Sequence, residues 1–226
     1  TKATHFQALP DAQLPVFMEQ LVGQDGMGAK ALLFLILTAA RSGEVRGATW
    51  EEIDLAARVW TIPAERMKAS KAHRVPLSDA AIALLQEMKA LAAAAERTSG
   101  KAYVFPSPNS RDPELGSALS DMTLTAVLRR LKLEAVPHGF RSTFRDWCAE
   151  QTDYPNEVAE MALAHTVGNK VEAAYRRGDL LAKRQQLMQD WADYALGRRA
   201  ENTTDGHSSA PIASTRDNTA DQHNNT

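Results

Sequence analysis

The spacing of apolar side chains predicts that helices dominate this chain. Between residues 11 and 24 they recur with the three- to four-residue period of an amphipathic helix, at Leu14, Phe17, Met18, Leu21 and Val22. The stretch "GQDGMG" interrupts that pattern, and residues 29–40 are then apolar on nearly every side. A helix without a polar face is typical of the centre of a hydrophobic core. We therefore expect an amphipathic helix followed by a buried one.

A different pattern follows the buried segment. Arg41 comes directly after it, and Ser42 is suited to cap a short helical turn that carries Glu44. The next residues alternate and are interrupted by turn formers, which predicts a small antiparallel sheet with strands near 49–53, 58–63 and 72–77. Ser78 is then suited to cap a long helix that ends near Glu96.

Helical patterns return in the second half, after a loop that holds the short apolar run from Tyr103 to Phe105. We predict helices at about 119–132, 139–152, 155–164, 168–176 and 179–196. Beyond Gly197 the chain is polar and almost without large apolar residues, so we expect residues 198–226 to be a disordered tail. The predicted fold class is mainly α with a small antiparallel β-sheet (α+β), in one domain over residues 1–197.

Composition narrows the classes of function. The chain has 226 residues, 44% of them apolar, and Cys148 is its single cysteine. One cysteine excludes an intramolecular disulfide and a multi-thiolate zinc site and fits a reducing compartment, so we expect a cytoplasmic protein. The apolar run from Ala31 to Ala40 is too short to span a bilayer, so no membrane partner is expected. The net charge of −2 does not favour nucleic acid, but basic residues cluster at 65–75, 129–132 and 175–179.

The segment "HGFRSTFRDWC", residues 138–148, separates into two stripes when placed on a helix. His138, Arg141 and Arg145 lie on a cationic stripe. The apolar stripe consists of Phe140, Phe144, Trp147 and Cys148. The apolar residues are expected in the core, and the cationic stripe is either a solvated basic face or an anion-binding surface.

Other basic residues have comparable alternatives. The predicted hairpin carries Lys68, Lys71, His73 and Arg74, which form either an ordinary polar loop or a basic contact surface. Arg41 follows an all-apolar helix, and a guanidinium close to a core needs a partner, for which Glu44 is the nearest candidate. His165 is by itself compatible with a purely structural role.

Metal and cofactor chemistry is not indicated by the sequence. His73, His138 and His165 lack the short spacing of zinc ligands, so no metal site is expected. We find no glycine-rich phosphate loop and no serine or cysteine nucleophile motif, and no cofactor is expected. The candidate residues instead suggest a binding site for a phosphodiester. They are two arginines, two histidines and a lysine around a tyrosine, and the cations would bind the phosphate charge and favour a nucleophilic phenolate at Tyr175.

The order of these residues resembles that of the tyrosine recombinase, or phage integrase, family. "TAARSGEV" (38–45) resembles the first arginine box, T-G-x-R-x-x-E, with Ala39 where glycine is common. "HGFR" (138–141) matches the second box, and "LAHTVGNKVEAAY" (163–175) resembles the third box with its terminal tyrosine. The amino-acid sequence around these boxes most resembles that of P4-like integrases of prophages and genomic islands. The resemblance covers about residues 10–197, one catalytic domain, and implies that the N-terminal arm-binding and core-binding domains are absent from this chain.

The resemblance implies a role for each matched residue. Arg41, supported by Glu44, and Arg141 are expected to bind the scissile phosphate, and His138 and His165 to assist as acid/base or hydrogen-bonding groups. Lys68, with Lys71 as the alternative, is expected to protonate the leaving 5′ oxygen. Tyr175 is expected to attack and form a 3′-phosphotyrosyl intermediate. Further expected DNA-binding residues are Lys71, His73, Arg74, Arg145 and Arg176.

The resemblance also implies partners. We expect double-stranded DNA at attachment sites, a homo-tetramer on DNA, a monomer for this domain alone, accessory DNA-bending or directionality factors, and a bacterial cytoplasm. The alternatives are a type IB topoisomerase, a DNA-binding module without catalysis, and a helical interaction protein without DNA. The predicted helix at 179–196 packs either on its own core or on a neighbouring protomer.

Overall fold

The apolar helix predicted at residues 29–40 forms the centre of the fold. A computed structural model describes residues 7–165 and 178–198. Its helices are α1 Leu14–Val22, α2 Met27–Thr38, α3 Ser42–Arg46, α4 Asp79–Ala94, α5 Thr123–Arg130, α6 Gly139–Gln151, α7 Asn156–Ala162 and α8 Leu181–Ala195. Helix α2 contacts α1, α3, α4, α5 and α8, which is why almost none of its surface faces water.

A three-stranded antiparallel sheet packs beside the helices. Its strands are β1 Ile53–Asp54, β2 Val59–Ile62 and β3 His73–Pro76, in the order β1-β2-β3. Trp60 pairs with Val75 and Ile62 with His73. The hydrophobic side chains of β2 and β3 are buried, and because neighbouring residues such as Val59 and Trp60 are both buried, the strands are covered on both faces there. The mainly α fold with a small antiparallel sheet is confirmed.

Helix α8 packs on the core of its own chain. Leu187 and Trp191 are fully buried, and Trp191 donates a 2.7 Å hydrogen bond from its indole nitrogen to the carbonyl oxygen of Ile36 in α2. The indole lies 5.2 Å from the ring of Phe144, edge to face, and 5.2 Å from the ring of Trp147. In the single chain this segment packs on its own core, and packing on a neighbouring protomer stays a prediction.

The apolar stripe of α6 is confirmed as part of the same core, with all four of its side chains buried. The start of α6 is fixed by a close chain approach: a Cβ at Gly139 would lie 2.3 Å from the carbonyl oxygen of Gln7. Only glycine fits at that position, which sits directly after His138.

Some predicted boundaries are wrong. Residues Trp50–Glu52 form a 3₁₀ turn, and only Ile53–Asp54 is a strand, because the backbone nitrogen of Glu51 bonds to Gly100 instead of a neighbouring strand. Ser42 is the first residue of α3 and Arg41 precedes it as the N-cap, since the Glu44 carboxylate accepts from the Arg41 backbone nitrogen. The helix predicted at 119–132 spans only Thr123–Arg130.

Two predictions lie outside the described residues: the helix at 168–176 and most of the tail at 198–226. Within residues 7–165 and 178–198, no helix is long and apolar enough to cross a membrane.

Candidate active site

The end of α2 delivers the first arginine. Ala39 has a φ of 49°, in the left-handed region that glycine adopts most easily, which explains why glycine is common here in the matching motif. The chain then turns into α3, where Arg41 Nη1 lies 2.7 Å from Glu44 Oε1. Glu44 is only 5% exposed, so this ion pair is partly removed from water. The predicted pairing of Arg41 and Glu44 is confirmed.

Arg141 is buried, so of the two interpretations of the cationic stripe of α6, a single solvated face does not hold. The residue is 4% exposed, and its Nη1 donates to the carbonyl oxygen of Ala39 over 2.6 Å. Burial and the positive charge of Arg41 lower the pKa of Arg141 to about 10, and the charges of Glu44 and Glu160 oppose that shift. The guanidinium is still cationic at neutral pH.

The two arginines converge on one backbone oxygen. Arg141 Nη2 donates to the carbonyl oxygen of Leu163 over 2.6 Å, and Arg41 Nη2 lies 3.5 Å from the same atom. That oxygen is available because α7 ends at Ala162 and Ala164 turns the chain with a φ of 50°. The backbone oxygen of Leu163, available at the end of α7, therefore explains how Arg41 and Arg141 come together.

His165 lies beside the arginine pair. Its Nε2 is 3.2 Å from Arg141 Nη2, and its Nδ1 is 2.8 Å from Glu160 Oε2. The other Glu160 oxygen accepts from Arg145 Nε at 2.6 Å. Burial raises the pKa of Glu160, but the hydrogen bonds from His165 and Arg145 lower it more, so the net shift is downward. Arg145, a predicted DNA-binding residue, is thus exposed but paired with a carboxylate.

His138 occupies the N-cap position of α6 and is exposed. Partial burial and the positive charges of Arg141 and Arg41 lower its pKa below the ordinary histidine value. The backbone nitrogen of Arg141 donates to the carbonyl oxygen of His138 over 3.1 Å, so His138 directly precedes the first turn of the helix that carries Arg141. The ring of His138 is neutral at pH 7.

The hairpin between β2 and β3 is attached to the arginine site through Arg66, which sequence reasoning did not identify. Its guanidinium donates to the backbone oxygen of Glu44 and to the carboxylate of Glu52. Lys68 and Lys71 follow on the exposed turn of this hairpin. The choice between the two lysines stays a prediction.

His73 points inward from β3. Its Nε2 lies 3.2 Å from the carbonyl oxygen of Ala162. Burial, reinforced by the charge of Arg184, lowers the pKa of His73 to about 4, so the ring is neutral. The structure places this predicted DNA-binding residue between the sheet and α7.

Arg74, the next residue on β3, is engaged with Asp179. Its Nε and Nη2 each lie 2.8 Å from a carboxylate oxygen of Asp179. Arg184 completes the cluster: it is 1% exposed and donates to the backbone oxygens of Asp179 and Arg74 over 2.7 Å and 2.6 Å. Sequence reasoning missed Asp179 and Arg184. A signal existed for Arg184, because it shares the buried face of α8 with Leu187 and Trp191 at helical spacing.

The predicted nucleophile Tyr175 and the predicted DNA contact Arg176 lie outside the described residues. Among residues 7–165 and 178–198, no three His, Cys, Asp or Glu side chains gather in a way that could hold a metal ion.

Comparisons with known proteins agree with the resemblance that the sequence motifs indicated. The sequence profile of the phage integrase family matches residues 9–180. The prophage integrase IntA of Escherichia coli K12 is 38% identical over 188 residues, covering 81% of this chain and 43% of that protein. The integrase of Enterobacteria phage P4 is 33% identical over 213 residues, covering 86% of this chain and 46% of that protein. The chain thus spans about half the length of the curated relatives it matches.

A structural comparison supports the same fold. The integrase from mycobacterium phage Brujita superposes with a TM-score of 0.61 at 15% sequence identity, over 89% of this chain and 66% of that one. At such low identity the likeness shows the fold alone. The profile match covers most of the chain and includes the two arginines that meet at Leu163. The chain belongs to the phage integrase family.

Proposed function

We propose that this chain is the catalytic domain, residues 1–197, of a site-specific DNA recombinase of the tyrosine type. The observation that carries the proposal is the convergence of Arg41 and Arg141 on the carbonyl oxygen of Leu163. Two guanidinium groups meet there, and Glu44 is the single carboxylate bonded to either of them among the described residues. The pair therefore has an excess of positive charge that a bound anion would balance.

A phosphodiester suits this site better than a carboxylate ligand. Arginines bind phosphoryl oxygens through geometrically matched N–H groups, and two of them can each take one non-bridging oxygen. In a pentavalent transition state those oxygens gain negative charge, so the same contacts strengthen as the reaction proceeds. The imidazole rings of His138 and the nearby His165 supply further hydrogen-bonding groups.

Tyr175 is the proposed nucleophile. Its phenolate attacks the phosphorus, the bond from phosphorus to the 5′ oxygen breaks, and that oxygen takes a proton from Lys68. The products are a 3′-phosphotyrosyl enzyme and a free 5′-hydroxyl. Attack by the 5′-hydroxyl of another strand reverses these steps and completes recombination, with no consumption of cofactor or metal.

The described residues support the reach of Tyr175. It precedes Gly178 by three residues, and three residues span at most about 11 Å. Asp179 is held to Arg74 on β3, and the neighbouring His73 bonds to Ala162, one residue before Leu163. The two described residues that flank this segment are therefore both anchored: His165 contacts Arg141, and Asp179 is bonded to Arg74 on β3.

The proposed partners are those that the resemblance to the tyrosine recombinase family implies. We propose double-stranded DNA attachment sites as the substrate, a homo-tetramer on DNA, and a monomer for this domain without DNA. The proposal also includes accessory DNA-bending or directionality factors and a bacterial cytoplasmic location. It further includes arm-binding and core-binding domains that act together with this catalytic domain. The exposed Lys71, together with Arg176, is the proposed contact to the DNA backbone.

A nicked suicide duplex that carries the candidate attachment core tests the proposal. The wild-type protein and Tyr175→Phe are incubated with it in EDTA and resolved on a denaturing gel. We expect a covalent protein–DNA adduct with wild type only. An adduct that persists in Tyr175→Phe would assign the nucleophile elsewhere. Specific DNA binding without any adduct, including from a protein that carries all of its domains, would indicate a non-catalytic DNA-binding module.

A further inference from the structure

His165 is held from two sides by charged groups with opposite hydrogen-bonding character. Nδ1 lies 2.8 Å from Glu160 Oε2, and Nε2 lies 3.2 Å from Arg141 Nη2. An ionised carboxylate only accepts hydrogen bonds, and a guanidinium only donates them. Nδ1 therefore donates to Glu160 and Nε2 accepts from Arg141. This combination defines the neutral ring that carries its proton on Nδ1.

The backbone brings Glu160 and His165 together. Helix α7 ends in a Schellman motif, in which the backbone nitrogen of His165 donates to the Glu160 carbonyl over 2.9 Å and that of Ala164 donates to Met161 over 3.1 Å. Glu160 thus binds His165 twice, through its main chain and through its side chain. The turn at Ala164 brings the ring of His165 within hydrogen-bonding distance of the carboxylate, and the His165 side chain is still 40% exposed.

The carboxylate is itself oriented. Its other oxygen accepts from Arg145 Nε over 2.6 Å, so α6 and α7 both determine its position. The Glu160 side chain is 15% exposed, compared with 57% for that of Arg145. The pKa of Glu160 is lowered on balance by its two hydrogen bonds against the effect of burial, so the group is ionised at neutral pH.

We propose, on the basis of the recombinase function above, that Glu160 is a positioning residue that aims Nε2 of His165 at the scissile phosphate. A phosphate oxygen bound to Arg141 Nη2 would lie next to Nε2, because those two nitrogens are already in contact. Phosphate oxygens accept hydrogen bonds only, so the ring donates to them from Nε2 once that nitrogen has gained a proton from solvent. Glu160 accepts from Nδ1 in both forms of the ring, so the orientation does not change.

Arg145 has a defined part in this proposal. It acts by holding Glu160 and not through contact with DNA. The other ionisable groups around the ring are Arg141 from α6 and the neutral His138. Neither can replace Glu160, because a guanidinium only donates hydrogen bonds and a neutral imidazole lacks the negative charge of a carboxylate.

Nitrogen-15 NMR of the histidine rings tests the positioning without DNA. In the free wild-type protein at neutral pH we expect the His165 shifts of an Nδ1-protonated ring, assigned by their loss in His165→Gln. In Glu160→Ala we expect them to change toward the Nε2-protonated tautomer or a mixture. Glu150→Ala, an exposed carboxylate on α6, is the matched control and should leave them unchanged. Unchanged His165 shifts in a folded Glu160→Ala protein would overturn the proposal.

A double-mutant cycle tests the consequence for catalysis. Glu160→Ala should slow single-turnover adduct formation on the order of 10-fold to 100-fold, as expected when a catalytic group is misaligned. In a His165→Ala background the same substitution should have almost no further effect. An equal loss in both backgrounds would mean that Glu160 only stabilises α7, and would overturn the positioning role.

Arg145→Ala extends the cycle. If Arg145 acts through Glu160, its effect disappears in the Glu160→Ala background. If the effect is undiminished there, Arg145 contacts DNA instead and its part in the proposal is overturned. Failure of the recombinase function itself looks different: the wild-type protein would then form no adduct, while the dependence of the NMR shifts on Glu160 would be unaffected.

Discussion

Arg141 donates a 2.6 Å hydrogen bond from Nη2 to the backbone oxygen of Leu163, so the end of α7 determines how deep this arginine lies. Its Nη1 is fixed in the same way by Ala39 at the end of α2. A buried guanidinium is therefore aligned by main-chain oxygens, which cannot change rotamer. Arg41 differs, because its position depends on the side chain of Glu44. The two arginines should respond differently to substitution.

Arg141→Lys keeps the positive charge but removes the planar group that reaches both carbonyl oxygens. We expect it to lower the free energy of unfolding by about 1–3 kcal/mol, the effect of leaving a buried acceptor unpaired. We expect adduct formation to fall on the order of 100-fold to 1,000-fold, as when one transition-state donor is removed. Urea titration and single-turnover cleavage measure the two effects. Arg129→Lys, exposed on α5, should change neither, and an equally stable Arg141→Lys protein would contradict the geometry.

Glu44→Gln removes the carboxylate bonded to Arg41 and leaves the two guanidinium groups with less negative charge nearby. We expect a loss of about 2–3 kcal/mol of stability, below the full value for a buried ion pair because Arg41 is partly exposed. Inorganic phosphate should recover part of that loss by binding at the arginines. Thermal unfolding in phosphate and in chloride at equal ionic strength measures this recovery. A Tm that rises no more in phosphate than in chloride would argue against an anion site.

His73 should make stability depend on pH. Its pKa of about 4 in the folded protein lies below the ordinary value of 6.5, so the folded state favours the neutral ring. The unfolded chain binds more protons between those values, and stability is lost as the pH falls from about 6.5 to about 4. We expect His73 to contribute roughly 2–3 kcal/mol of that loss. Urea titrations across this range should show a smaller loss for His73→Gln, and identical slopes would contradict the buried, neutral ring.

The pairing of Arg74 with Asp179 predicts which hairpin residues contact DNA. Arg74→Ala should leave the salt dependence of DNA binding almost unchanged, because its guanidinium already serves a carboxylate. Lys71→Ala should reduce the slope of log K against log salt by about 0.9, the change for one lost phosphate contact. Binding titrations at several salt concentrations measure both slopes, and Lys89→Ala on α4 is the control. A reduced slope in Arg74→Ala would show that Asp179 releases the arginine to DNA.

Much of the site could be predicted from sequence because its parts lie in short motifs. The box around Arg41 carries its partner Glu44 three residues later, and helical spacing separated the core side of α6 from the side with Arg141. These are local relationships. Helix geometry determines how far apart such residues lie along the chain, so the relationships can be recognised in a single sequence.

The contacts that align the site could not be predicted because they join distant segments. Arg141 meets Ala39 and Leu163, and Arg66 meets Glu44, only after the helices and sheet have packed. Helical spacing placed Arg141 on the polar face of α6, yet the residue is buried. Its burial is possible for the same reason, because carbonyl oxygens from other helix ends compensate its desolvation. The bond from Glu160 to His165 depends on a left-handed alanine, Ala164, that no propensity rule favours.

Mass spectrometry of the covalent complex tests the central claim most directly. After reaction of wild-type protein with a nicked attachment-core duplex in EDTA, nuclease and protease digestion should yield one modified peptide. We predict a nucleotide joined through its 3′-phosphate to Tyr175. Attachment to another residue, or through a 5′-phosphate, would contradict the proposed chemistry.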